Sequence, residues 1–217
     1  MRVTADSKVA TRERILKVAA RQLLKRGWER TTTRAIARSS GIAAGTLFNY
    51  FPSKESLAAE IVIRALRAAT EEADRERTAQ QTLEEDLFSF IWTGLRHLRP
   101  YREFLRPAID TLLSPLARSA PDHPGEPIRH HHLQGVEAIL SKHQLAPAAS
   151  AVWVQLYWAL YLGVLAHWTA DDSRNQVQTQ VVLDQSVNLL AVSLRAQRMF
   201  VPEPEENKEE SDVTQTG

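Results

Sequence analysis

Residues 31–57, TTTRAIARSSGIAAGTLFNYFPSKESL, decide the fold. Thr31, Thr32 and Thr33 offer side-chain oxygens to the free N–H groups at the start of a short helix that reaches about Ser40. Gly41 supplies the turn that stops it. A second short helix runs from Ala43 to Tyr50 and is closed by Pro52; Ser53, with Glu55 and Ser56 behind it, then caps a long helix to about Arg77. Upstream, Ile15, Val18, Ala19, Gln22 and Leu23 recur at i, i+3, i+4 spacing and make Thr11–Arg26 an amphipathic support helix ended by Gly27. Two short helices joined by a glycine turn behind a support helix match the helix-turn-helix pattern, whose second helix enters the major groove of DNA. Small Ala43, Ala44 and Gly45 allow close approach, with the positive end of the helix dipole suited to a phosphate. Ile36, Ala37, Ile42, Leu47 and Phe51 can pin the unit to the support helix. Arg34, Thr46, Asn49, Tyr50 and Lys54 supply polar reach, whereas Leu47, Phe48 and Phe51 read as core.

Charge is segregated in the same sense. Of the 217 residues, 1–56 carry 12 Lys and Arg against 4 Asp and Glu, a net of +8. The remainder has 15 against 22, a net of −7, so the near-neutral total conceals a basic end that asks for an anionic partner, most often nucleic acid. The absence of aromatic stacking residues on a sheet or loop argues for duplex DNA over RNA. Cysteine is absent, which removes disulfides, thiol nucleophiles and Cys-ligated metal, and fits a reducing, cytoplasmic setting.

No window alternates apolar and polar residues over any length, so the whole chain is expected to be all-α. Beyond residue 80, helices are expected over Gln81–Arg99, Tyr101–Leu113, Ile128–Leu145, Ala148–Ala170 and Gln176–Phe200, with a proline-rich loop at Ser114–Pro127. The stretch AVWVQLYWALYLGVLAHWTA approaches the ~20 apolar residues a membrane span needs. Its Trp and Tyr are scattered through the middle, Gln155 and His167 interrupt it, and Asp171 and Asp172 flank it, so it reads instead as a helix apolar on every face, shared between a core and an interface. Val177, Val181, Val187, Leu190, Ala191 and Leu194 stripe the helix after it. Residues 1–8 are expected to form a flexible arm, 9–56 a DNA-binding domain with its helix-turn-helix at about 32–51, 57–200 a second helical domain, and 201–217 an acidic disordered tail.

The motif running through Thr-Thr, Ile36-Ala37, Gly41, Gly45-Thr46-Leu47, Tyr50-Phe51 and Ser53-Lys54 to Leu57 resembles the DNA-binding signature of the TetR family of transcriptional regulators over roughly residues 10–60. The resemblance implies a larger C-terminal bundle for effector binding and dimerisation. It further implies that Arg34 reaches a guanine edge, that Thr33, Thr46, Tyr50 and Lys54 clamp phosphates, and that Ala44, Gly45 and Asn49 face bases. Phe48 stands where the family usually has Tyr, so one hydroxyl is missing there. A homodimer through the helices near 148–170 and 176–200 is expected, the alternative being a monomeric bundle core. The implied effector would be apolar or aromatic, with Trp92, Phe104, Trp153 and Tyr157 as its contacts unless they are simply core.

The function expected is that of a homodimeric repressor released from a palindromic operator by a small molecule; an activator of the same fold, or a carrier bundle that never meets DNA, are the alternatives. No nucleotide-binding, nucleophile-elbow or metalloprotease motif occurs, so no catalytic residue and no cofactor is expected. His130, His131 and His132 are adjacent on a helix and point about 100° apart, which cannot converge on one metal.

Overall fold

In residues 31–57 the caps sit close to where the side-chain chemistry puts them. Thr32 accepts a hydrogen bond from the Ala35 N–H at 3.2 Å and opens α2 (Thr33–Ser39). Gly41, at φ +68°, takes the left-handed turn into α3 (Ala44–Phe48). Ser53 and Ser56 exchange side-chain to main-chain hydrogen bonds at 3.0 and 3.1 Å, a reciprocal cap that starts α4 (Lys54–Glu76). The computed structural model describes residues 5–113 and 123–198, and these contain α-helices and short 3-10 turns but no strand. The proposed tail at 201–217 and most of the expected proline-rich loop lie outside the described residues.

The support helix α1 (Ala5–Arg30) is longer than expected at both ends. Residues 5–8 are its first turn, where a flexible arm was expected, and Asp6 sits near the positive end of its dipole. At the other end Gly27 (φ +75°, ψ 175°) does break the helical path, but a further turn including Trp28 follows it. The remaining helices are α5 (Leu83–Leu98), α6 (Arg102–Leu113), α7 (Glu126–Lys142), α8 (Ala151–Ala170) and α9 (Val177–Arg198). Glu126 and Pro127 belong to α7, because proline is accommodated in a first helical turn whose N–H groups are free anyway.

One continuous apolar core runs from Ile15 in α1 to Leu194 in α9. The boundary expected at 56/57 falls inside α4, an unbroken helix that serves both the head (α1–α3) and the body (α5–α9). α4 lies against α5 and α7, while α1 packs on α6 and on α4, so the head is seated on the body by two helices. Between α1 and α4, Arg12 makes two hydrogen bonds to Glu60 (3.1 and 3.0 Å), and Arg64 bridges Glu60 and Glu13. The Arg12 bonds hold the Glu60 carboxyl below the ordinary carboxylate range, against the opposing effect of partial burial. These pairs are partly solvated, and each contributes at most about 1 kcal/mol.

Candidate nucleic-acid interface

The head is built around buried Gln22, which the periodicity places on the core face of α1. Its amide donates to the Ala35 carbonyl at 3.2 Å and to the Ser39 hydroxyl at 2.9 Å, tying α1 to both ends of α2. Thr31, also buried, shares its one hydroxyl hydrogen between the carbonyls of Gly27 (2.8 Å) and Gln22 (3.2 Å), which anchors the turn before α2. Ile36, Ala37, Leu47 and Phe51 complete the small core with Ile15, Ala19 and Leu23. The two bonds given by the amide nitrogen offset its burial and tie α1 to α2.

That frame leaves one face open. Arg34 on α2 is exposed, as are Gly45, Thr46 and Asn49 on and just after α3; Thr33, Ala44 and Tyr50 are half-buried beside them. From Arg30 to Lys54 the chain holds no Asp or Glu and four cations, Arg30, Arg34, Arg38 and Lys54, which suits a polyanion. Phe48 corrects the core expectation: only Leu47 is buried on α3, and Phe48 lies 47% exposed on the open face. A five-residue helix has a single turn to bury, and Leu47 takes it. Lys54 is half-buried at the first position of α4. Its ammonium donates to the Trp28 carbonyl at 3.1 Å and stands 4.0 Å from the centre of the Trp28 ring.

The four aromatics expected at an effector contact lie in three separate places. Phe104 is buried beside Trp28 and Tyr101 where the head meets the body. Trp92 is half-buried against Phe88. Trp153 and Tyr157 stack on each other at 5.5 Å, and the Trp153 indole N–H reaches the Leu190 carbonyl and Ser193 of α9.

Tyr157 leads to the polar centre of the body, which the sequence reading passed over. His132 is buried, hydrogen-bonded to the Tyr157 hydroxyl at 2.8 Å, stacked on Tyr161 at 3.9 Å and flanked by Phe90 and Trp158. Burial lowers its pKa to about 3, so the ring is neutral. The spacing of Ile128, His132, Val136 and Ile139 along α7 carries the signal that would have placed it inside. Its neighbours diverge as expected: His130 is exposed and His131 pairs with Thr70 at 3.2 Å. No group of three or more metal-binding side chains occurs among the described residues.

α8 and α9 each leave apolar side chains uncovered. On α8, Val152, Leu156, Ala159, Gly163, Ala166 and Ala170 are all exposed at alternating steps of four and three. On α9, Val177, Val181, Leu189 and Val192 are each more than half exposed. In the single chain α8 buries one side in the core and leaves this stripe uncovered, the arrangement that a helix divided between a core and an interface requires. No helix among the described residues is long and apolar enough to cross a membrane.

A helix-turn-helix head with an acid-free open face, seated on a larger helical body, defines a DNA-binding regulator. Residues 15–61 match the family described as bacterial regulatory proteins, tetR family, and residues 86–201 match the tetracyclin repressor-like C-terminal domain. The chain belongs to the TetR family. Over 57 residues it is 42% identical to the HTH-type transcriptional repressor KstR2 of Rhodococcus jostii, covering 26% of this chain and 28% of that protein. Over 59 residues it is 37% identical to KstR2 of Mycolicibacterium smegmatis, covering 27% and 29%. The match thus spans less than a third of those relatives' length. Thermus thermophilus FadR, a TetR-family repressor solved in complex with lauroyl-CoA, shares the fold with a TM-score of 0.59 at 21% identity, over 89% of this chain and 97% of that one.

Proposed function

We propose that the chain is a homodimeric, cytoplasmic repressor that occupies a palindromic operator and is released by a small apolar or aromatic effector. It acts by binding and carries out no chemistry. The observation that carries the DNA-binding half is the open face of α2 and α3, where Arg34, Gly45, Thr46 and Asn49 are exposed in a stretch without acids. Arg34 reads a guanine edge, Ala44, Gly45 and Asn49 face bases, and Thr33, Thr46, Tyr50 and Lys54 hold phosphates. The uncovered stripe of α8 and α9 supports pairing with a second copy, because two half-sites about 34–36 Å apart need two heads.

For the effector, Trp153 and Tyr157 remain the contacts we propose. They adjoin the neutral His132 centre, where an apolar ligand with one hydrogen-bonding group finds rings and a polar partner together. The lauroyl-CoA held by the Thermus thermophilus protein supports an effector with an apolar part. Effector binding would favour an arrangement in which α4 carries the two heads out of step with successive major grooves, and a coupling of about 1–3 kcal/mol suffices for a 5- to 150-fold change in occupancy.

The test is selection of duplexes from a random pool at physiological ionic strength. Recovery of an inverted repeat is the expected result and provides the operator for effector screening. Retention of DNA that is sensitive to salt yet shows no common sequence would overturn the operator reading.

A further inference from the structure

The Lys54 ammonium is held by a residue that also touches the body. Gly27, in the left-handed region, turns the chain so that the next side chain, Trp28, folds inward and is only 7% exposed. The Trp28 carbonyl accepts from Lys54 at 3.1 Å and its ring lies 4.0 Å from the same nitrogen. That ring is stacked on Phe104 of α6, with centres 6.5 Å apart and planes 17° from parallel, and Phe104 in turn meets Tyr101. Two residues before Phe104, Arg102 donates to the carbonyls of Trp168 (3.0 Å) and Asp171 (2.6 Å), which fastens the start of α6 to the end of α8.

From this arrangement we infer that Trp28 is the positioning residue for the Lys54 phosphate contact, and that its own placement is set by Phe104 of α6. An ammonium has three donors; one is spent on the Trp28 carbonyl, leaving two for a phosphate, and the ring restrains a side chain that would otherwise sample many rotamers. A displacement of α6 would move the ring, the ring would move the ammonium, and the phosphate contact would weaken with no change at the base-reading face. The inference rests on the reading of Lys54 as a phosphate contact, and the experiment separates the two.

The measurement is the dependence of binding on salt, using the full chain and a pool of random-sequence duplexes, since a phosphate contact is independent of sequence. Lys54→Ala should lower the slope of log affinity against log salt by about 0.9 for each head, and so by about 1.8 for a bound dimer. Trp28→Leu, with its helical content verified by circular dichroism, should lower the slope by the same amount, and Trp28→Phe should restore most of it. The double variant should be no worse than either single one. Should Trp28→Leu fold poorly, Phe104→Leu changes α6 and no residue of the head, and should lower the slope in the same direction. An unchanged slope in Trp28→Leu and Phe104→Leu, beside a lowered one in Lys54→Ala, would overturn the positioning role alone. An unchanged slope in Lys54→Ala would overturn both this inference and the phosphate reading beneath it.

Discussion

α3 and α8 both leave a face uncovered, and the two faces differ in everything but that. α3 has five residues, buries Leu47 alone, and exposes a glycine, a threonine and a phenylalanine in an acid-free surround. α8 has twenty, buries eight, and exposes valine, leucine, alanine and glycine in one stripe. A face that meets DNA needs small residues for approach and donors for phosphates and base edges. One that meets a second protein surface can be apolar, because water is expelled from both sides. The composition of the uncovered face therefore distinguishes the partner more sharply than its size.

Without a partner for the exposed residues of α8 and α9, the distinction between the two faces is lost. Leu156 and Val192 are 54% and 63% exposed in the single chain, so replacing both with Glu leaves the monomer's core untouched. We expect the double variant to have half the wild-type mass by light scattering. Operator affinity should fall by roughly 10²–10⁴, the advantage of two linked heads over one. A variant that keeps the wild-type mass would remove the stripe from the interface.

The next largest effect lies behind α8, at His132. Its folded pKa is about 3 against 6.5 for a free histidine, so between those values the unfolded chain binds more protons than the folded one. Stability contributed by the neutral ring is therefore complete above about pH 6.5 and lost as the pH falls toward 3, at up to about 1.4 kcal/mol per unit. Moving from pH 7 to pH 5 should cost about 2 kcal/mol in denaturant unfolding. His132→Phe should remove most of that loss, although it leaves the Tyr157 hydroxyl without its partner. Asp171, whose carboxyl accepts from Ser173 and from Thr179 at 2.6–2.9 Å, is held low by those bonds despite its burial. Its contribution is lost only at more acidic pH, as the pH falls through its lowered pKa.

His132 also marks where the sequence stopped being legible. In the head, each signal is local: Thr32, Gly41 and Ser53 act on helix ends within three residues of themselves, and the apolar spacing of α1 selects its buried face. Helix ends there were accordingly read to within a few residues, except at α1, where Gly27 kinks the path without ending the helix. In the body the deciding contacts are distant in sequence. Phe104 meets Trp28, Trp153 meets α9, and Trp92 stays beside Phe88, although all three look alike as aromatics in apolar helical segments. α8 is apolar on every side, so its periodicity selects no face, and only the packing of α9 and α6 shows which stripe is left open.

Within the head, Arg34 and Lys54 sharpen the contrast between reading and holding. Arg34 is exposed on α2, whereas Lys54 is half-buried on Trp28. Arg34→Ala should cost about 1–3 kcal/mol on the selected operator and little on scrambled duplex, relaxing the preference at one base pair. Equal loss on both duplexes would make Arg34 a phosphate contact.

Phe48 tests the comparison at its weakest point, since it is the one large apolar side chain on the face assigned to DNA. Its 47% exposure gives the fold little to lose, so Phe48→Ala should leave thermal stability within about 0.5 kcal/mol of wild type. An aromatic edge on the recognition helix can still gain by covering a thymine methyl in the major groove. The loss on an operator carrying thymine at the facing position should then be about 0.8 kcal/mol, the value of one buried methylene-sized group, and should vanish when that thymine is replaced by uracil. Phe48→Tyr adds a hydroxyl that can reach phosphate, so it should tighten binding to all duplexes alike and leave the base preference where it was. If Phe48→Ala instead lowers stability without touching DNA affinity, the residue serves the head's packing.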